Sequence, residues 1–143
     1  MESHQMAEAI TISTSDYIKS IIVKIDKRTY RVRKVGAGEG LDISSYYQES
    51  QRIQSEATVL QAKYEESTDE EEKQELLNQL LDKMKPIAEI RHKIEEIYIG
   101  LFDDGEGGKY SRQLVKTIGL EKVQEIYKDI MRKMDEKDND KSA

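Results

Sequence analysis

Residues 76–101 read LLNQLLDKMKPIAEIRHKIEEIYIGL. Within them Leu77, Leu80, Met84, Ile87, Arg91, Ile94, Tyr98 and Leu101 recur at alternating steps of three and four, the spacing that gathers side chains on one face of an α-helix. Leu76, Ile90 and Ile97 widen that stripe into a face broader than one partner helix covers, so several elements must pack on it. Pro86 falls inside the pattern. It lacks the N–H that an interior helical residue donates, which predicts a kink over residues 84–86 and a cost of about 3 kcal/mol if the helix were forced straight.

Working outward, Tyr46, Ser50, Ile53, Ala57, Leu60 and Tyr64 form a second stripe at helical spacing, and Asp42 or Ser44 is placed to cap that helix. The intervening EESTDEEE (residues 65–72) breaks both stripes. Its overlapping Ser67/Glu70, Thr68/Glu71 and Asp69/Glu72 pairs read as capping boxes, with acids gathered in the first turn of the next helix. Downstream, the glycines of DDGEGGK (residues 103–109) mark a loop. Ser111 then caps a short helix that Gly119 ends, and Val123, Ile126, Tyr127, Ile130 and Met134 give a last helix its inner face.

Upstream the period changes. In SIIVKIDKRTYRVRKV (residues 20–35), β-branched and aromatic residues at Val23, Ile25, Tyr30 and Val32 alternate with polar ones, the pattern of a β-hairpin. A turn at Lys27-Arg28 pairs Ile25 with Tyr30; a turn at Asp26-Lys27 pairs Val23 with Tyr30. Both keep the same residues on the apolar face, so alternation leaves the register open. A two-stranded hairpin is marginal alone, so its apolar face must lie on the helices.

The expected fold is therefore mainly α: a hairpin at 20–35 packed on a bundle of about four helices near 43–66, 69–102, 111–118 and 120–136. These form a single domain over 19–136, between a flexible leader (1–18) and a disordered tail (137–143). A chain of 143 residues with 36 % charged residues, no Trp, one Phe and one Pro suits water-facing helices better than a sandwich or barrel. The absence of cysteine removes disulfides, thiolate zinc sites and thiol nucleophiles. No signal peptide or membrane span is apparent, which predicts a cytoplasmic protein.

Chemistry-bearing patterns are few. GAGEG (residues 36–40) lacks the Lys-Ser or Lys-Thr of a phosphate-cradling loop, and Glu39 and Asp42 would put negative charge where a phosphate should lie. Those glycines predict a sharp corner from strand to helix instead. Asp103, Asp104 and Glu106 fail the spacing of a calcium-binding helix–loop–helix. His92 has no second histidine or nucleophile arranged around it. The sequence thus predicts no catalytic centre, no metal and no cofactor.

Charge is unevenly spread. The net charge is -6, yet residues 19–34 hold seven basic residues against Asp26 alone. Lys24, Arg31 and Arg33 fall on the polar face of the hairpin, suited to an acidic partner, to acidic groups of the same chain or to a phosphate backbone. The acidic body and the lack of an exposed aromatic among these bases speak against nucleic acid.

With these elements in order, IIVKIDKRTYRVRKVGAGEGLDI (residues 21–43) resembles the N-terminal hairpin of phage tail assembly chaperones. IRHKIEEIYIGLFDD (residues 90–104) and IGLEKVQEIYKDIM (residues 118–131) are similar to the later helices of that family. The resemblance covers about residues 20–134, with Lys27 standing where a glycine commonly fills the turn. It implies a non-enzymatic protein of a siphophage or prophage, acting in the host cytoplasm. Such a protein binds the tape measure protein, keeps its apolar helices soluble and helps recruit tail tube subunits. Most of the broad helical face is expected in the core. Partner contacts are expected at Arg31 and Arg33 on the hairpin and at Tyr47 beside the first helical stripe.

Overall fold

A computed structural model of the chain describes residues 9–14 and 17–142. The expectation of a loose leader over residues 1–18 thus lies partly outside the described residues. Two strands, β1 (Ser20–Ile25) and β2 (Arg28–Arg33), lead into helices α1 (Ala37–Glu66) and α2 (Glu70–Leu101). A two-residue strand, β3 (Phe102–Asp103), follows, and then helices α3 (Lys109–Ile118) and α4 (Leu120–Ser142). The described residues are mainly helical, with four helices and an antiparallel hairpin packed against them.

The hairpin turns at Asp26-Lys27: Val23 pairs with Tyr30, Ile21 with Val32 and Ile25 with Arg28. Asp26 takes the positive φ that a two-residue turn requires, at 55°; aspartate is among the few non-glycine residues that visit this region. Tyr30 and Val32 are buried, and Ile21, Val23 and Ile25 are half-buried on the same face. The sequence pattern did not show the third strand. Phe102 and Asp103 pair with Val32 and Arg31, giving a sheet of order β1-β2-β3. That pairing brings Phe102 edge-on to Tyr30 and beside Tyr127.

The helix following the hairpin starts at Ala37, six residues before the expected 43, and runs through the glycines instead of after them. Neither Asp42 nor Ser44 caps it. Glu39 takes that role: its carboxylate accepts the Gly36 N–H at 2.9 Å and a forked pair of bonds from Arg33 at 2.6 and 2.8 Å. Gly36 has φ of -71°, and Gly38 and Gly40 lie within the first turns with open space where a side chain would stand. The corner therefore rests on a carboxylate and a guanidinium, and positive φ plays no part in it.

Along α1 the predicted stripe holds, with Ile53 and Ala57 buried and Tyr46, Ser50, Leu60 and Tyr64 half-buried. At the link to α2, Asp69 is the residue of the acidic run that acts as cap, accepting the Glu71 N–H at 3.2 Å. Helix α2 is unbroken through Pro86. Pro86 and Asp82 are both exposed, so water can satisfy the Asp82 carbonyl that loses its donor.

Helix α3 begins at Lys109, and Ser111 is buried inside it instead of capping it. The Ser111 hydroxyl donates to the Phe102 carbonyl. The capping group is Asp104. Its Oδ1 accepts the N–H groups of Glu106 and Gly108 at 2.8 and 3.0 Å, and its Oδ2 accepts those of Tyr110 and Ser111 at 2.6 and 3.1 Å. Gly119 ends α3 as expected, at φ of 90°, with its N–H on the Val115 carbonyl at 2.9 Å. Helix α4 continues through residues 137–142, where the charge pattern predicts a disordered tail. Asp138 on this last stretch and Asp135 just before it pair with Lys19 and Lys34 beside the hairpin, so acids of a charge-balanced segment gain a basic surface to lie on.

Two clusters make the core. One joins Tyr30, Val32, Leu101, Phe102, Val115, Val123 and Tyr127; the other joins Ile53, Ile90, Ile94 and Leu120, and Tyr98 packs against both. Beyond this second cluster, α1 and α2 continue as a two-helix arm, held at the seam by Ala57, Leu60, Tyr64, Leu76 and Leu80. At about 1.5 Å per residue, helices of 30 and 32 residues reach about 45 Å.

Candidate functional site

One flank of the paired α1 and α2 is grooved. At the head end, Tyr47, Ser50 and Gln51 of α1 face Ile87 and Arg91 of α2, and Leu120, Glu121 and Gln124 of α4 close the end. This depression holds about 360 Å³. At Gln54 it meets a second, of about 430 Å³, lined by Gln54, Ala57, Thr58, Gln61, Leu80 and Met84.

The lining follows from helical spacing. Ala57 and Leu80 belong to the seam, while Gln54, Thr58 and Gln61 stand beside it on α1 and Met84 stands beside it on α2. Every residue of the arm section is uncharged, in a chain that is 36 % charged. At the head end Arg91 and Glu121 are charged, but they neutralise each other through a forked pair at 2.8 and 3.0 Å. That guanidinium, with the Glu121 backbone N–H, holds the Glu121 carboxyl down at about 2. Met84 is 40 % exposed and Tyr47 41 % exposed, so an apolar side chain and an aromatic ring both face the open groove. Glutamine and threonine can rim such a groove without the desolvation cost that a buried charge carries.

Tyr47 sits at the groove's mouth, where its hydroxyl accepts from the Gln124 amide. Gln124 also bonds Tyr98, whose hydroxyl is otherwise pushed upward by burial. The expected partner residue on α1 is thus held in position by α4, which no sequence pattern indicated.

The other two expected partner residues lie elsewhere. Arg31 and Arg33 sit on the outer face of the sheet, so the structure does not bring them together with Tyr47. Arg33 is engaged: the paired Glu39 carboxylate raises its guanidinium further, and Arg33 in turn holds Glu39 below the usual carboxylate range. Lys19 and Lys34 are paired with α4, and Arg28 stacks over the Tyr110 ring at 3.2 Å. Arg31, Lys24 and Lys27 have no ion pair among the described residues. Three of the seven bases in residues 19–34 thus fasten the hairpin to acids of the helices, and a fourth lies on a tyrosine ring.

Sequence reasoning missed Gln54, Gln61, Met84, Arg91 and Gln124 as groove residues. The readable signal was the run of uncharged positions 50, 54, 57, 58 and 61 down one flank of α1. Among the described residues no group of three or more His, Cys, Asp or Glu is placed to hold a metal ion, and no helix is long and apolar enough to cross a membrane.

Fold and groove together define a helix-rich protein with a groove along a two-helix arm whose arm section is lined by uncharged residues. Comparison with family models, with curated proteins and with solved structures finds no match for this chain.

Proposed function

We propose that this protein is a non-enzymatic phage tail assembly chaperone whose client is an apolar helical segment of a tape measure protein. The observation that carries the reading is the groove from Tyr47 past Gln54 to Met84, uncharged along the arm and with its two head-end charges paired to each other, of a shape and polarity suited to an amphipathic helix. The resemblance over residues 20–134 supplies the client class. Helix-in-groove binding gains from covering exposed apolar side chains such as Met84, and amide side chains at the rim hydrogen-bond a helix without selecting one charge pattern. Arg31 and Tyr47 are the partner contacts we retain. Arg33 acts through Glu39 in holding the hairpin against α1. Recruitment of tail tube subunits would then use surfaces outside the groove.

Co-expression with the tape measure protein of the same genome, followed by size-exclusion chromatography with light scattering, tests this. A soluble complex is expected where the tape measure protein alone is insoluble, and Met84→Glu is expected to abolish it while leaving the helical content intact. If the two never co-elute and the tape measure protein stays insoluble, the reading fails. A nucleic-acid role has one observation in its favour, that Lys24, Lys27 and Arg31 have no ion pair among the described residues. Absence of DNA and RNA binding at low salt ends that alternative.

A further inference from the structure

Among the described residues, the sheet has a free edge at β1. The Lys34 N–H donates to the Lys19 carbonyl at 2.9 Å, which sets the phase of the ladder. With the register Ile21 to Val32 and Val23 to Tyr30, the odd-numbered residues of β1 bond to β2. Ser20, Ile22 and Lys24 then turn their N–H and C=O groups outward, and no described residue bonds to them there. Ile22 is 57 % exposed at the middle of this edge. Short length and a lysine blunt such an edge in part, but it carries neither proline nor bulge.

The same chain carries a segment that matches the edge. Residues 9–14 read AITIST, β-branched at four of six positions. In its own chain this segment lies off the sheet, leaving Ile10 and Ile12 exposed. We propose that residues 9–14 of a second copy add as a fourth, antiparallel strand to β1, reciprocally across a two-fold axis. Bonding and side-chain face together exclude a slip by one residue; the phase with Thr11 opposite Ile22, Ala9 opposite Lys24 and Ser13 opposite Ser20 lays the segment along all three open positions of the edge. It turns Ile10 and Ile12 to the inner face beside Val23 and Ile21, which are half-buried and open on that side.

Charge favours this occupant over a direct pairing of two β1 edges. Residues 19–34 are strongly basic, so two such strands side by side repel, whereas the leader carries Glu2, Glu8 and Asp16 and no Lys or Arg. No like charges face each other in the phase given. The contact is on the sheet edge and does not depend on the groove or on the chaperone reading.

Sedimentation velocity of the full chain over a wide concentration range, with amide hydrogen exchange at both ends of it, tests the proposal. A monomer–dimer equilibrium is expected, with the Ser20, Ile22 and Lys24 amides protected only at high concentration. Ile10→Asp combined with Ile12→Asp, and separately Ile22→Pro, are each expected to weaken dimerisation about tenfold or more, with unchanged helical circular dichroism. If Ile22→Pro disturbs the hairpin, the Ile10/Ile12 variant still decides, since those side chains make no core contact in the monomer. A monomer at every concentration overturns the proposal. So do edge amides protected independently of concentration, which would show the segment filling its own edge, and a dimer that both variants leave intact.

Discussion

Asp104 is a single carboxylate on which a helix start, a loop and a strand depend. Replacing it with alanine removes the acceptor of four N–H groups, those of Glu106, Gly108, Tyr110 and Ser111. Loss of a helix cap costs about 0.5–2 kcal/mol, and loss of a negative charge at a helix N-terminus about 0.3–1 kcal/mol more. Asp104→Ala is therefore expected to lower stability by about 1–3 kcal/mol. Asp104→Asn keeps an oxygen for Glu106 and Gly108 but turns an NH2 toward the Tyr110 and Ser111 donors, and should cost nearly as much. The pH dependence carries a second signature. Desolvation, the largest single influence, pushes this carboxyl upward, but the four N–H donors outweigh it and hold it at about 2. A depressed folded-state value means that the unfolded chain takes up the proton first as pH falls. The stabilisation is complete above about pH 4 and drains away toward about pH 2. The shift from 3.8 to about 2 would correspond to about 2.4 kcal/mol, which screening of a partly exposed group reduces to about 1–2 kcal/mol. Urea unfolding followed by circular dichroism, at neutral pH and in steps down to about pH 2, measures both quantities. The gap between wild type and Asp104→Ala should narrow as the pH drops. A variant within about 0.5 kcal/mol of wild type at neutral pH, or a gap constant across the acid range, refutes the reasoning.

Three further perturbations test the joints of the fold. Glu39→Gln should cost about 1–2 kcal/mol, and a double-mutant cycle with Arg33→Ala in urea unfolding should return a coupling of about 0.5–1.5 kcal/mol; a coupling near zero would mean that the forked pair does not fasten the hairpin to α1. Ser111→Ala leaves the buried Phe102 carbonyl without its donor and should lower stability by about 1–3 kcal/mol, read as a fall in thermal midpoint, with no fall counting against a functional bond. Asp26→Val is expected to destabilise the chain by about 1–2 kcal/mol because a β-branched residue resists positive φ, whereas Asp26→Gly should stay within about 0.5 kcal/mol of wild type; equal effects of the two would place the turn elsewhere.

Periodicity alone determined the class of this protein. The stripe from Leu77 to Leu101, the stripe from Tyr46 to Tyr64 and the alternation from Val23 to Val32 each describe one face of one element, and each face is buried or half-buried in the structure except at Met84 and Arg91, which border the groove. Local repeats are legible because they report how a segment divides between water and protein, whatever it packs against. Gly119 was legible for a similar reason, since a helix end that needs positive φ favours one residue type. Ends set by distant partners were not. The start of α1 at Ala37 depends on Glu39 meeting Arg33, the start of α3 depends on Asp104 reaching forward to Ser111, and the last turns of α4 lie against Lys19 and Lys34. Tertiary structure also chose between the two hairpin registers, because Tyr30 and Val32 stay on the inner face in either one. Pairing of Val32 with Phe102 then added a third strand too short to have a period. The groove belongs to the same class. Gln54, Met84 and Gln124 become one surface only when α1, α2 and α4 are packed, since a surface shared by three helices is written in their arrangement and in no single stretch of chain.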